Sequence, residues 1–526
     1  MFKQTITLLL FNSSSIVTWE YGEIILATYN TTSFAKTMEK LGNVKSDYIL
    51  FWDADNPIPT KEQLSSVIAS KGDLWHIGSK LNFAIELPLL DCVQPTTMHH
   101  LKVDSSMDHT SWKVSLRGSL MKKSVLDQIP FVKKAASMDI VSLDFGFKAM
   151  KSGVITRYSE ILAKNTIRKE TSAFNLNEEL SFIRNNFDKK AFVWCYVLYF
   201  FKINPLQFFR LLKIKPVTVS QPYTREVSTV NLSELDTSVS IVIATLERYE
   251  CLVDELLELR LLQLQPKEII IVDQTIQEKR STEFLKDFED LPISYLESNK
   301  IGQCSARNLG IKKATGKFIW FLDDDMKEIP VDYLERHLQN MYSFNADVSC
   351  GIPDEIGTNY IDRSIKKIEI SDGLPMGDTI VKRELLIEIG GFDVKMDQKQ
   401  SEDQEIGLRC FKQGALSIKD NQMRILHLRA SRGGLRNHNV RKITFASSRN
   451  SLTQRRFLHH SEIYLNLKHF DQKKVKKAIL LNIRGTFIIR GGMLKKGIKI
   501  LIAFFMLPHT LYITKKNITL AKKMIE

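Results

Sequence analysis

"KFIWFLDDDMKEIP", residues 317 to 330, drives an apolar run straight into three consecutive aspartates. The run is short and shows no polar alternation, which is the pattern of a strand buried on both faces. The carboxylates therefore fall where that strand ends. A similar phrase stands earlier, "FWDADNPIP" at 51 to 59, again an apolar run, an Asp-x-Asp triplet and Ile-Pro. Two acidic strand ends in one chain raise the question of whether both carry chemistry. Adjacent carboxylates repel one another unless solvent or a divalent cation screens them, and hard cations take such oxygen ligands. An exposed acidic loop leading into a helix near 331 accounts for the triplet alone equally well. The neighbouring sequence has to decide.

Upstream, "VSIVIAT" from 239 and "KEIIIVDQ" (267 to 274) read as buried strands, with helical patterns at about 249 to 264, 280 to 290 and 303 to 314. This β-α-β-α-β order predicts a largely parallel sheet covered on both faces, with ligands beyond the carboxyl ends of its strands. Asp273 and Asp323 to Asp325 then share one crevice. In "GQCSARNLGIKKATG" Gly302 lets the chain turn, and Arg307 falls in a helix from which its guanidinium can face a diphosphate; a surface salt bridge is the alternative. Downstream, "GLPMGDTIVKRELLIEIGGFD" (373 to 393) supplies a glycine-hinged turn, an apolar run and a helix ended by Gly390 and Gly391. In "SEDQEIGLRCFKQG" (401 to 414) Ser401 reads as an N-cap, with Glu402 and Asp403 in the first turn, where the helix dipole favours acids in any case.

Taken in order, "VSIVIATLERYE", "IIIVDQT", "GQCSARNLGIKKATGKFIWFLDDD", "GDTIVKRELLIEIGGFD", "SEDQEIGLR" and "ILHLRASRGG" resemble the family-2 type of bacterial inverting GT-A glycosyltransferases over about residues 238 to 436. The resemblance implies that Thr245, Glu247 and Arg248 cradle the nucleotide and that Asp273 hydrogen-bonds its base. Arg307 would approach the diphosphate. Asp323 would meet the ribose side, Asp324 would belong to the nucleotide-sugar-binding set, and Gly377 and Asp378 would face the donor sugar. Asp325, with Asp323 and His427, would hold a divalent metal, Mg²⁺ or Mn²⁺, and Asp403 would be the general base. One departure concerns the usual Asp-Asp-Gly-Ser after the second strand, which is "DQTI" here, so the base preference stays open.

From about 1 to 165, "GEIILATY", "DYILFW" and "DLWHIG" alternate with helical patterns, again an α/β layer, and "ITLLLF" reads as its first strand with a signal peptide as the alternative. "SLMKKSVLDQI" (119 to 129) aligns without a gap on "TIVKRELLIEI" (379 to 389), and "KAMKSG" (148 to 153) on "RCFKQG" (409 to 414). In that register Ser142 stands where Asp403 is, Asp144 matches Glu405, and counting back from the triplets sets Thr37 opposite Arg307. The expected fold class is thus α/β, a mostly parallel GT-A sheet in two tandem copies, the first incomplete. The expected divisions are 1 to 170, a helical segment and linker at 171 to 237, the catalytic unit at 238 to 440, and a basic helical region at 441 to 526. Asp53 and Asp55 then serve as a strand-end cap or a vestigial metal site. A bifunctional enzyme with two transferase sites is the rival.

Composition bounds the rest. At 526 residues the chain exceeds one core. Its 74 Lys plus Arg against 60 Asp plus Glu give a net charge of +14, which calls for an anionic partner. Six singly placed cysteines exclude a paired zinc or redox motif and fit a reducing cytosol. "AFVWCYVLYFF" (191 to 201) and "ILIAFFML" (500 to 507) fall short of the ~20 residues that span a bilayer. The tail carries Arg455, Arg456 and five lysine pairs, and reads either as a solvated helical cap or as an attachment to an anionic membrane surface. A nucleotidyltransferase would open on a glycine-rich loop, and "IVIATLERYE" contains no glycine. A noncatalytic scaffold predicts decay of the acidic set, which is filled. The expected partners are a nucleotide-diphosphate sugar donor and a saccharide or lipid-linked acceptor in surface polysaccharide biosynthesis, at the cytoplasmic face of the membrane, with no nucleic acid.

Overall fold

The structure, a computed structural model, describes residues 4–12, 19–27, 31–78, 87–101, 103–131, 137–164, 166, 175–214, 221–227, 229–355, 363–428 and 445–526. Two sheets organise it. The first contains β1 (Ile6–Phe11), β2 (Ile24–Ala27), β3 (Tyr48–Asp53), β4 (Leu74–His76), β5 (His109–Thr110), β6 (Gly118–Lys122) and β7 (Thr156–Tyr158), in the order β2-β1-β3-β6-β4-β7-β5. The second half supplies β8 (Val239–Thr245), β9 (Glu268–Asp273), β10 (Ile293–Glu297), β11 (Phe318–Asp323), β12 (Met326–Lys327), β13 (Val348–Cys350), β14 (Asp354–Glu355), β15 (Ile368–Ile370), β16 (Asp378–Lys382), β17 (Ser417–Asp420) and β18 (Leu426–His427). Its main sheet runs β10-β9-β8-β11-β16-β13-β17-β15, and β12-β18-β14 form a small three-stranded sheet beside it.

Strand for strand the two main sheets have the same order, the second adding β10 at one edge. Each equivalent pair also has the same sense and register. Tyr48 faces Lys122 across β3 and β6 as Phe318 faces Lys382 across β11 and β16, and Leu74 faces Thr156 as Val348 faces Ser417. The alignment of "SLMKKSVLDQI" with "TIVKRELLIEI" is thus the alignment the sheets adopt. The first half is shorter at its β2 edge. No strand pairs the outer edge of β2 among the described residues, and the Tyr249–Leu259 helix between β8 and β9 has no counterpart among them.

The sheets are mixed rather than mostly parallel. β16 runs antiparallel to both β11 and β13, as β6 does to β3 and β4. β15, which precedes β16 in the chain, is antiparallel to β17 at the sheet edge, so β15 and β16 both run against β11, β13 and β17. Both faces are buried, as unbroken apolar strands require. Ile241, Ile243 and Trp320 belong to the core on one side of the second sheet, and Val242, Ile319 and Phe321 to the core on the other.

The halves pack on each other. Lys71 pairs with Asp347 at 2.5 Å, Arg157 donates to the Gly414 carbonyl at 2.9 Å, and Met98, Leu101 and Ile155 enter a core of the second half. Arg225, in the stretch expected to be a tether, donates to Asp73 at 2.8 Å and stacks on Tyr223 and Phe344. Each half also ends in a helical hairpin, Leu176–Asn186 with Lys189–Leu198 and His460–His469 with Gln472–Gly485. Both hairpins turn on a Phe-Asp pair whose aspartate, Asp188 or Asp471, caps the second helix.

Candidate active site

The acids of the triplet face four partner side chains. Asp323, the last residue of β11, accepts from Arg307 at 2.9 Å, and the other side of that guanidinium lies 3.8 Å from Glu402. Asp324 accepts from Thr245 and from Arg248, both at 2.8 Å. Asp325 lies 3.4 Å from Arg248 and 3.2 Å from Nε2 of His427, which β18 delivers by pairing with β12 across Met326 and His427. The Leu428 amide fixes the same corner by donating to the Asp325 carbonyl at 3.0 Å. Gly377 borders it too: a Cβ there would stand 3.1 Å from Oδ2 of Asp323 and 2.5 Å from Cε of Met326. Thr245, Arg248, Arg307, Asp323 to Asp325, Gly377, His427 and the Glu402–Asp403 turn therefore share one crevice at the carboxyl ends of β8 and β11.

Burial governs the electrostatics. It pushes Asp324 up to about 6 even with Arg248 beside it, and it lifts Glu402 to about 7 with help from the neighbouring Asp403. Burial also works against a charged Arg248, yet Asp324 and Asp325 outweigh it and hold that guanidinium protonated. Two backbone distortions flank these groups. Glu247, next to Arg248, has φ of 55°, and Ser401, next to Glu402, has φ of 77°. Left-handed non-glycine residues each cost about 1–3 kcal/mol and cluster at functional sites. Glu247 itself is exposed and pairs with Lys279 at 3.1 Å. Ser401, expected as an N-cap, makes no side-chain cap bond, because in its left-handed conformation it aims the following turn instead. Asp403 is half-buried and accepts from the Gln404 amide at 2.9 Å.

Two expected contacts lie elsewhere. Asp378, expected to face the donor sugar, is fully buried in the opposite direction and accepts from Tyr333 at 2.5 Å, His337 at 3.0 Å and Trp320 at 3.2 Å. His337 continues to the Ser349 hydroxyl at 2.9 Å. This Asp–His–Ser chain is enclosed at every member, so it secures packing and leaves no face for a substrate. Asp273, expected at the base, lies beneath Tyr249 and Tyr295, which donate to it at 2.6 and 2.5 Å, while the Thr275 amide takes its other oxygen at 2.7 Å.

The glycine at 302 has a different reason from the expected turn. Its φ of 166° is extended backbone, and the constraint is Asp397, whose Cγ would lie 2.2 Å from a Cβ at that position. Asp397 accepts from the Ser305 amide at 2.9 Å and so occupies the start of the Gln303–Lys313 helix. Gln274 of "DQTI" accepts from the Gly302 amide at 2.5 Å, anchoring the same corner. That helix terminus is therefore occupied, and the cations beside the acidic triplet are Arg248 and Arg307.

One residue of the site escaped the sequence reading. Glu255 is fully buried on the Tyr249–Leu259 helix, neither carboxyl oxygen has a hydrogen-bond partner among the described residues, and burial followed by Asp324 and Asp325 raises its pKa well above the ordinary range. The available signal was a glutamate inside the apolar stripe Leu252, Leu256 and Leu259. The "RASRGG" continuation after His427 lies outside the described residues.

Residues 240–393 match the family model Glycosyl transferase family 2. The matched stretch takes in Thr245 through Asp378 and stops ahead of Glu402, Asp403 and His427. No curated protein matches the chain. Among solved structures, TarS 1-349 of S. aureus is 14% identical, with 48% of this chain and 72% of that one covered at a TM-score of 0.34. The mannosyltransferase PcManGT from Pyrobaculum calidifontis, in complex with GDP-Man and Mn²⁺, is 14% identical over 55% and 84% at 0.34. GalNAc-T7 with UDP, GalNAc and Mn²⁺ is 17% identical over 36% and 43% at 0.30. Likenesses at those TM-scores carry no argument about this chain, and the family match stands by itself.

Proposed function

We propose that the second half is an inverting GT-A glycosyltransferase that moves a sugar from a nucleotide diphosphate to a hydroxyl of a saccharide or lipid-linked acceptor. The observation that carries this reading is the bridge Asp323–Arg307–Glu402, which ties the acidic strand end to the helix turn bearing Asp403. Donor and base thereby face one crevice. The family match over 240–393 supports it.

A divalent cation fits the donor set in part. Among the described residues no three His, Cys, Asp or Glu side chains already converge on one point. Asp325 and His427 do approach each other, and Mg²⁺-type sites commonly join one or two protein ligands to substrate phosphates. Asp325 and His427, with Asp323 adjacent, are the residues that would hold it, and the ion would offset charge on the leaving diphosphate. The chain's own contribution is cationic and basic. Arg248 and Arg307 receive negative charge as the bond from the anomeric carbon to phosphate breaks. Asp403 takes the acceptor hydroxyl's proton as that oxygen attacks from the opposite face, so one displacement inverts the centre. Glu402, ionised, holds Arg307 toward the diphosphate.

The first half is read as a noncatalytic copy. Arg117 closes on Asp53 at 2.8 Å, Ala54 replaces Asp324, Thr37 replaces Arg307, and Ser142 replaces Asp403 while donating to the Met138 carbonyl at 2.8 Å. The proposed setting is the cytoplasmic face of a membrane, in surface polysaccharide assembly. A panel of sugar nucleotides incubated with the purified chain, with and without Mn²⁺, tests the reading. Release of nucleotide diphosphate from one donor is expected, and no turnover of any donor counts against it.

A further inference from the structure

The Met493–Phe505 helix is turned inside out. Lys499 is 1% exposed and donates to the carbonyls of Ser451 and Gln454, each at 2.9 Å, with Ala503 buried beside it. The opposite face shows Leu494 at 80%, Leu501 at 61%, Phe504 at 66% and Phe505 at 79% exposure. These positions repeat at helical spacing and form one stripe. The next helix, Leu507–Ile525, bends away by 61° and adds exposed Leu511 and Tyr512. A contiguous apolar face of this kind marks an interaction surface.

Charge identifies the partner. From Asp471 to Glu526 the chain has no carboxylate side chain between those two, while Arg490, Lys495, Lys496, Lys515 and Lys516 are exposed around the stripe. An apolar face rimmed only by cations complements an anionic lipid surface. Length sets the mode of binding: among the described residues no single helix is long and apolar enough to cross a bilayer, and the two helices pass that test only together, across their bend. The first half repeats the chemistry, with Phe201, Leu206 and Phe209 exposed beside Lys202 and Arg210. The two helical hairpins touch, since Arg484 lies 4.5 Å from the ring centre of Trp194.

We propose that the Met493–Phe505 helix lies in the interface of an anionic bilayer, with Leu494, Leu501, Phe504 and Phe505 among the acyl chains and the lysines at the headgroups. This stands apart from the glycosyl-transfer reading. The test is co-sedimentation of the full chain with phosphatidylcholine vesicles, with and without phosphatidylglycerol. The parent chain should bind the anionic vesicles. Leu501→Asp with Phe504→Asp should lower that partition by about tenfold or more at every salt concentration, because buried apolar area is lost. Lys495→Glu with Lys496→Glu should weaken binding chiefly at low salt. Phe505→Trp should blue-shift its emission on adding vesicles. All these side chains are exposed, so circular dichroism should match the parent. Absence of binding by the parent, equal binding by the Leu501/Phe504 variant, or concentration-dependent dimerisation that this variant abolishes would each overturn the proposal, the last by showing that a second copy covers the stripe.

Discussion

At one crossing of the two sheets the halves solve the same packing problem in opposite ways. In the first half the Ile77 amide donates to the Gly118 carbonyl at 3.0 Å, and in the second the Gly351 amide donates to Asp378 at the same distance. Ile77 fills the space above Gly118, where a Cβ would lie 2.4 Å from its Cδ1, and Asp378 fills the space above Gly351, where a Cβ would lie 1.7 Å from its carboxylate. Large and small residues have exchanged strands. One residue earlier the difference reaches the acidic strand end. Gly377 leaves the Asp323 carboxylate open to the crevice, whereas Arg117, at the equivalent position, covers that of Asp53. At this point the backbone course is common to both halves, and the difference between them resides in a few side chains.

Elsewhere the halves agree in a way that concerns stability alone. Asp144 and Lys148 form a buried i,i+4 pair, as Glu405 and Arg409 do at the same place in the second half. Each acid also takes a partner from the following hairpin, Asn186 at 2.8 Å for Asp144 and His469 at 3.1 Å for Glu405. A buried charge needs such pairing in either half. Agreement here and divergence at the acidic strand end separate what the fold requires from what the proposed reaction would require.

The largest expected effect comes from the position where the halves differ most in chemistry. Asp403→Asn should lower transfer by roughly 100- to 10,000-fold in steady-state assays while leaving donor affinity in place, because the amide keeps the shape and cannot accept the proton. Turnover near that of the parent would remove Asp403 from the mechanism. Next comes Gly377→Arg, which gives the second half the lid of the first. A guanidinium on Asp323 competes with Arg307, so donor affinity measured by calorimetry should fall by about tenfold or more. Unchanged affinity would mean that Gly377 does not keep the crevice open.

A pH profile reads the pair beside the base. Glu402 is lifted to about 7, first by burial and then by Asp403, so it ionises and grips Arg307 only as the pH rises through that value. The rate per unit donor should therefore climb severalfold between about pH 6 and 8. Glu402→Gln should flatten that limb, and an unmoved limb would assign it to another group. Stability has the opposite sign. A carboxyl whose folded pKa is raised stabilises the fold below its unfolded pKa, and that contribution is lost as the pH climbs to about 7.

Most of the strand plan was legible because apolar runs, acidic ends and a second copy in register constrain it from several directions. The reversal of β16 was not, since a short apolar run does not reveal which way it enters a sheet. The crevice acids, both arginines and His427 followed from strand-end position and from the resemblance. Asp378 did not, because in "GDTIVK" the alternation of a strand sends one residue toward the crevice and the next into the core, and one step of register decides between them. Glu255 stayed hidden because nothing local distinguishes a buried glutamate from one on a solvated helix face.

The smallest expected effect is the sharpest statement about the first half. Asp53 sits at the end of β3 as Asp323 sits at the end of β11, yet it is buried, paired with Arg117 at 2.8 Å, and receives the Asp55 amide on its other oxygen at 3.2 Å. Its charge is spent inside the fold. Asp53→Asn together with Asp55→Asn preserves shape and leaves an oxygen for Arg117 and for the amide, so the sheet should keep its geometry with a modest loss of thermal stability, since the Arg117 guanidinium keeps a hydrogen bond but loses its counter-charge. Transfer should stay within a few-fold of the parent at saturating donor, measured alongside a melting curve to separate folding from chemistry. A two-site enzyme predicts otherwise. If the double variant melts like the parent and one of two distinct sugar additions disappears, the first half catalyses in spite of Arg117, Thr37 and Ser142, and the closed carboxylate would have to open when donor binds.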